Sequence, residues 1–372
     1  MAAAPERVLF VTGYPGFIGK RLVRRLAEHL RGQRARMVLL VQPQFAAGAR
    51  AELQALGARQ AEVIEGDVIR MHLGLSGPEW KRIGTDLTEV WHLAGLDDLG
   101  ADPELIRRVN VEGTRNVLEL ARGAPRITRF NHFSSAYVSG DRVGVILEDE
   151  LVMGQRFRNV YEESKFRAEV LVQRAKQELP ITVYRPSIVV GDSKTGEIDR
   201  FDGPYYMAVL VVSSPLSVPL PLPGEGAAPL NVVPIDFVVE AALAIGANPA
   251  AKGRTVHLVD PAPLSARRVY ETIAARARRK VPVVSIPHRA IEALLELPIL
   301  ERLSRPQRAA MQYVNHLAVY DCRDAAELLA GTGIVCPPIT SYLDRMIAFV
   351  QGYFARLREA ELAADVDDPL DR

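Results

Sequence analysis

Cysteine is nearly absent from this sequence: Cys322 and Cys336 are the only two in 372 residues. Two cysteines build no disulfide framework and here have no metal-ligand spacing, so a reducing cytoplasm and no bound metal are expected. Lysine is scarce as well, with 7 Lys among 46 basic residues. A lysine beside another reactive group therefore stands out, because an ammonium can be tuned by its surroundings where a guanidinium cannot. Charge of either sign in excess is missing: 46 basic residues meet 45 acidic ones, for a formal net charge of +1. Such a balance supplies no field for nucleic acid or an anionic membrane. An unbroken membrane-spanning run is lacking too, since the most apolar window, residues 205–222, is interrupted by Pro215, Pro219 and Pro221. Residues 1–7 leave no room for a signal peptide ahead of the first expected strand. What is left is an ordinary globular composition, 48% hydrophobic and 24% charged. The length is enough for two domains.

The apolar run at residues 8–11 reads as a buried parallel strand and leads into Gly13-Tyr14-Pro15-Gly16-Phe17-Ile18-Gly19. Leu22, Val23 and Leu26 then recur at helical spacing. Strand, glycine turn and helix form a cradle for a pyrophosphate: glycines let the backbone approach, and the helix start offers free N–H groups. A second strand is expected at residues 37–41, ending at Gln42. A free ribose 2′-hydroxyl usually meets an acid there, and no acid lies near Gln42 in the chain. This favours NADP(H) over NAD(H), with Lys20 and Arg21 either as 2′-phosphate partners or as solvated helix residues. Residues 63–67 read as a third strand ending in Asp67 and Val68 at the adenine edge. Residues 89–95 read as a fourth, ending in Leu93, Ala94 and Gly95, and the next helix opens at Asn110. His92 and His132 are expected in core or hydrogen-bonding roles. The fifth strand, residues 129–135, ends in Ser135, where the crevice of an open α/β sheet lies. Tyr161 and Lys165 are four apart on a helix of good formers, so they share one face. An ammonium held beside a phenol stabilises the phenolate and lowers its pKa.

These motifs, in order and in register, resemble the short-chain dehydrogenase/reductase superfamily, in its extended, epimerase-like branch. Residues 159–161, the acids Glu148, Asp149 and Glu150, and Pro186-Ser187-Ile188-Val189-Val190-Gly191 look most like the male-sterility group. That group contains fatty acyl-CoA reductases and thioester reductase domains. The resemblance implies Ser135, Tyr161 and Lys165 as catalytic residues: Tyr161 as acid, Lys165 as its partner and ribose ligand, Ser135 on the substrate oxygen. It further implies cofactor contacts at Gly13 to Gly19, Gln42, Asp67, Val68, Leu93 to Gly95, Asn110, Lys165, Pro186, Ser187 and Val189. Many members of the group carry Arg where this chain has Gln42.

The expected fold is α/β, a Rossmann-type doubly wound parallel sheet with a smaller, mostly helical C-terminal substrate-binding cap. Residues 1–200 form the dinucleotide-binding domain, with the sheet rejoined by 228–262. Residues 201–227 and 263–355 form the cap, and 356–372 a tail. Asp236 is expected to cap a helix. Helices at 264–280 and 287–303 are expected to bear Arg289, Arg302, Arg305 and Arg308, either solvated or receiving a phosphorylated carrier. The expected activity is NADPH-dependent reduction of an apolar carbonyl compound, a fatty acyl or carrier-bound thioester included. The alternatives are an NAD-dependent nucleotide-sugar epimerase or dehydratase and a non-catalytic dinucleotide sensor. The expected partner is a small-molecule or acyl-carrier-linked substrate, and paired helices of this superfamily point to a homodimer.

Overall fold

A computed structural model describes residues 7–98, 100–199, 226–277 and 316–366. The apolar run at residues 8–11 lies in β1 (Arg7–Thr12), in which only Arg7 reaches solvent. A strand apolar on both faces needs cover on both, and a parallel sheet flanked by helices supplies it. The other strands are β2 (Ala35–Val41), β3 (Ala61–Glu65), β4 (Glu89–His92), β5 (Arg129–Phe133), β6 (Gly144–Ile146), β7 (Ile181–Pro186), β8 (Ile188–Val190), β9 (Val232–Pro234), β10 (Thr255–Leu258) and β11 (Ala318–Tyr320). Seven of them form one sheet in the order β3-β2-β1-β4-β5-β7-β10, and every neighbouring pair is parallel. This is the Rossmann-type α/β fold. Its strand order reverses between β1 and β4, the switch point beside which such sheets bind ligands.

The helices are α1 (Phe17–His29), α2 (Pro43–Ala55), α3 (Gly77–Asp86), α4 (Pro103–Arg107), α5 (Gly113–Arg122), α6 (Val160–Ala175), α7 (Ile235–Ala247), α8 (Ala266–Arg276), α9 (Arg323–Leu329) and α10 (Leu343–Val366). Phe10, Val38, Val90, Phe130 and Val183 of the sheet pack with Val117, Leu118 and Ala121 of α5 and Val172 and Ala175 of α6. Each such large side chain, once buried, contributes roughly 1.5–3 kcal/mol. α6 starts where it does because the Asn159 side chain accepts the Glu162 backbone N–H at 2.9 Å, the cap that Asn provides best.

The chain divides into two units. The first holds the described residues up to Ser187, Phe237–Pro261 and Ala318–Val335. In it β11 pairs with β6, and Ala318 and Tyr320 bury beside Ile146, Ala136 and Val259. The second holds the described parts of Ile188–Asp236, Ala262–Leu317 and Cys336–Arg372. Its core joins Val190, Val232, Val269, Ile273, Tyr342, Met346 and Val350.

Several expectations are corrected. Residues 230–234 do not rejoin the large sheet; β9 pairs instead with β8 in a two-stranded ribbon of the second unit. Residues 318–335, expected within the cap, group with the first unit. β3 stops at Glu65, and Gly66 beyond it has no room for a side chain, since a Cβ would stand 2.4 Å from the Leu73 carbonyl oxygen. Asp236 lies in the first turn of α7, and its carboxylate accepts the Ser193 N–H at 2.9 Å and the Ser193 hydroxyl at 2.6 Å, tying down another segment. Residues 356–366, expected as the start of the tail, continue α10, in keeping with the strong helix formers Ala, Arg, Leu and Glu among them. The expected segments at 205–222 and 287–303, with Arg289, Arg302, Arg305 and Arg308, lie outside the described residues.

Candidate active site

The glycines of the first turn are there because nothing larger fits. At Gly19 a Cβ would stand 2.3 Å from the Gly13 carbonyl oxygen, and at Gly16 2.8 Å from the same atom. Gly13 has φ +93°, and its Cβ would meet the backbone of Leu93 and Ala94 at 2.6–2.7 Å. The Gly13 oxygen accepts the Gly16 N–H at 2.9 Å, closing the turn directly ahead of α1. No side chain caps the start of α1, and its first turn contains no acid. Free N–H groups and the positive dipole end therefore remain for an anion. A pyrophosphate fits this cradle, and with it a dinucleotide. Pro15 stands in the same turn. Tyr14 is buried with its hydroxyl on Glu52, which together with burial raises its pKa. Phe17 lies under the Arg21 guanidinium, 4.3 Å from the ring centre, while Ile18 is partly buried.

At the adenosine end the sequence expectation needs revision. No acid lies near Gln42 in the chain, yet Gln42 Nε2 donates to Asp67 Oδ2 at 2.8 Å, so a carboxylate stands beside it in space. The other Asp67 oxygen accepts the Ile69 N–H at 3.1 Å. Val68 turns inward instead, packing in the core against Gly113.

Beyond the turn, the ends of β4 and β5 meet α6. Thr12 links β1 to β4 through its carbonyl, which accepts the Leu93 N–H, and through its hydroxyl, which accepts the Ala94 N–H at 3.2 Å. The position of a Gly95 Cβ would lie 3.3 Å from Asn110 Oδ1 and 3.8 Å from Lys165 Nζ. Asn110 sits in a π-helical turn, Arg108–Glu112, that leads into α5; such turns concentrate at functional sites. Its side chain accepts the Leu96 N–H at 2.7 Å and donates to the Leu96 carbonyl at 3.1 Å and to Ser164 Oγ at 2.8 Å, joining the β4 loop to α6. Lys165 Nζ donates to the Phe133 carbonyl at 2.6 Å.

Ser135 is buried and heads a short 3-10 turn, its hydroxyl accepting the Tyr137 N–H at 3.2 Å. A side-chain hydrogen bond joins it to Tyr161. The structure thus brings Ser135 and Tyr161 into contact and holds Lys165 at the same strand end. The expected lowering of the Tyr161 pKa is overturned. Burial raises it most, Asp97 adds to the rise, and the bond to Ser135 draws it back. Lys165 itself is brought down to about 8 by burial, with Glu169 and Asp97 opposing. His92 bonds Thr12 at 2.8 Å and Thr114 at 3.0 Å, the hydrogen-bonding role expected of it, and burial lowers its pKa to about 3. His132 is buried, and its two ring nitrogens have no protein partner. Pro186 and Ser187 close β7, with the Ser187 N–H on the Leu258 carbonyl at 3.2 Å, whereas Val189 belongs to the second unit. Among the described residues no cluster of His, Cys, Asp or Glu could hold a metal ion, and no helix is long and apolar enough to cross a membrane.

Residues 11–242 match the family model for male sterility protein, well over half of the chain. The chain belongs to the male sterility protein family. Among its relatives are the fatty acyl-CoA reductase wat of Drosophila melanogaster, 25% identical over 64% of this chain and 54% of that one, and a carboxylic acid reductase of Mycobacterium tuberculosis, 25% identical over 70% and 26%. The chain spans about half the length of the first relative and about a quarter of the second. Among solved structures, the terminal R domain from the myxalamid PKS-NRPS biosynthetic pathway superposes with a TM-score of 0.78 at 26% identity, covering 94% of this chain and 91% of that one. UDP-glucuronic acid 4-epimerase from Bacillus cereus, at TM-score 0.66 and 17% identity over 93% of this chain and 99% of that one, shares the fold alone.

Within this family member, sequence reasoning passed over three side chains. Asp97 lies on a loop outside any motif, and no sequence signal marked it. Glu169 follows Lys165 by four, the spacing that had marked Tyr161 and Lys165, and Arg185 directly precedes the run singled out from Pro186.

Proposed function

We propose that the chain is an NADPH-dependent reductase of an apolar carbonyl compound, foremost an acyl thioester carried by coenzyme A or a carrier protein. The observation that carries this reading is the meeting of Ser135, Tyr161 and Lys165 at the ends of β4 and β5 beside a glycine turn with no room for side chains. The relatives named above, a fatty acyl-CoA reductase and a carboxylic acid reductase, support it. The nicotinamide, when bound, supplies a hydride to the carbonyl carbon. The Gly13 turn and the start of α1 hold the pyrophosphate, and Lys165 holds the ribose. Ser135 fixes the carbonyl oxygen, and Tyr161 delivers a proton to it as negative charge develops. A phenol raised above its usual range keeps its proton at neutral pH, the state an acid needs. From a thioester, addition of hydride and this proton gives a hemithioacetal, which expels the thiol and leaves an aldehyde.

The preference for NADPH rests on Lys20 and Arg21 in the first turns of α1, and on Gln42, whose amide occupies one oxygen of the neighbouring Asp67 carboxylate. Loss of absorbance from NADPH, with acyl-CoAs of graded length, aldehydes and ketones as substrates, tests the activity. Turnover with long acyl chains is expected. Absence of turnover with all of them, beside NAD retained through purification, would move the chain to the nucleotide-sugar class. Tighter binding of NADH than of NADPH would overturn the cofactor choice.

A further inference from the structure

Beneath the proposed catalytic group lies a buried ion pair with no assigned task. Glu169, four residues after Lys165 on α6, is fully buried, as is Arg185 in β7. Arg185 Nη2 reaches Glu169 Oε1 at 2.7 Å, and its Nε lies 3.1 Å from both carboxylate oxygens. The same carboxylate accepts Ser134 Oγ at 2.5 Å and Gln173 Nε2 at 3.0 Å. Arg185 Nη1 continues to the Glu148 carbonyl at 3.1 Å.

A buried ion pair is no more stabilising than apolar side chains of the same volume, because both charges must be desolvated. Apolar side chains, however, could do neither of two things that Glu169 does here. The strand end is gripped at successive residues: Lys165 holds the Phe133 carbonyl, Glu169 holds the Ser134 hydroxyl, and the Ser134 N–H donates to Tyr184 O at 2.8 Å. Ser135 is the next residue. Glu169 also places a negative charge one helical turn from an ammonium that burial disfavours.

We propose that Glu169, locked by Arg185, is a positioning residue that fixes Ser135 through Ser134 and keeps the Lys165 ammonium charged. This rests on the roles given to Ser135 and Lys165 above, but its test does not need turnover. The groups that bear on Lys165 are Glu169 on α6 and Asp97 on the β4 loop; the imidazoles of His92 and His132, from β4 and β5, are held neutral by burial with Lys165 adding to the effect. Arg185 is bonded to the Glu169 carboxylate and not to Lys165.

With only seven lysines in the chain, the Lys165 side chain can be followed by NMR of protein labelled at lysine Cε, the signal being assigned with Lys165→Arg. In the full chain without cofactor it should titrate near pH 8. In Glu169→Gln the midpoint should fall by about one pH unit, the lower end of the effect of a close opposite charge. Should that variant fail to fold with Arg185 left unpaired, Glu169→Gln combined with Arg185→Gln removes both charges and should show the same direction. Ser134→Ala should leave the midpoint in place and lower turnover. An unmoved midpoint in the folded Glu169 variants would overturn the proposal whatever the substrate proves to be. Failure of every carbonyl compound to react, with the midpoint shifted, would overturn the reductase reading instead.

Discussion

Tyr161 and Lys165 share a helix face, but in the structure they do not act on each other as an ammonium acts on an adjacent phenol. Lys165 directs one of its three N–H groups at the Phe133 carbonyl, and Tyr161 turns to Ser135. The phenol therefore stays neutral, with burial foremost and then Asp97 raising its pKa and Ser135 drawing it back. In the proposed mechanism the hydroxyl of Tyr161 would serve proton delivery, while the Gly13 turn and Lys165 would take the dinucleotide. Tyr161→Phe should accordingly lower kcat by about 10²–10⁴-fold, the usual worth of a positioned acid, and leave the NADPH Kd within a factor of two or three. Stopped-flow turnover and fluorescence titration on one preparation check both halves. A Phe variant with near-native kcat would remove Tyr161 from the chemistry.

At the scale of elements, the glycine turn was legible in the sequence because its requirement is largely local: Gly16 and Gly19 both crowd the Gly13 carbonyl, Gly13 has φ +93°, and only glycine fits. A Cβ at Gly19 would stand 2.3 Å from Gly13 O, a backbone atom that cannot swing away, so Gly19→Ala must displace the start of α1. NADPH affinity should drop by more than about tenfold, corresponding to 1.4 kcal/mol or more. Gly48 inside α2 supplies the contrast, since a Cβ there meets nothing within 4 Å. Gly48→Ala should leave NADPH affinity unchanged and raise stability by about 0.5–1 kcal/mol, the gain from replacing glycine in a helix. Equal effects of the two substitutions on affinity would show that crowding in the turn is not what matters. Less local features were not legible. The pairing of β9 with β8 depends on a partner strand some forty residues earlier in the chain, and both are three-residue strands too short to carry a clear alternation. The approach of Asp67 to Gln42 arises because β2 and β3 end side by side, which chain distance from Gln42 conceals. The Ser135, Tyr161 and Lys165 group was readable because order and spacing fix it; Asp97 has neither.

At the scale of the whole chain, one carboxylate helps to bring residues 318–335 back to the first unit. β11 pairs with β6, but a three-residue strand is a weak anchor, and Glu148 adds a second. Its buried side chain accepts the N–H of His257 at 2.8 Å, of Asp324 at 2.6 Å and of Ala325 at 3.2 Å, joining the segment before α6 to β10 and to the first turn of α9. Arg254 reinforces the same docking from outside, reaching Asp324 at 2.8 Å and Glu327 at 3.0 Å. Burial raises the Glu148 pKa from 4.5 to about 7, against the three amides that lower it. Between those values the folded chain holds a proton at this site that the unfolded chain has released. The contribution of Glu148 to stability is therefore fully present below about pH 4.5 and falls as pH rises toward 7. Glu148→Gln cannot titrate, so the stability of the native chain relative to the variant should increase as pH falls from 7 to 4.5, with a slope of at most about 1.4 kcal/mol per pH unit. Urea unfolding of both proteins at half-unit steps of pH reads this difference directly, free of every other titrating group they share. A difference that stays flat across the window would mean that Glu148 is ionised throughout, with the three amides outweighing its burial. A difference that shrinks toward acid would mean that they hold it below the pKa of the unfolded chain.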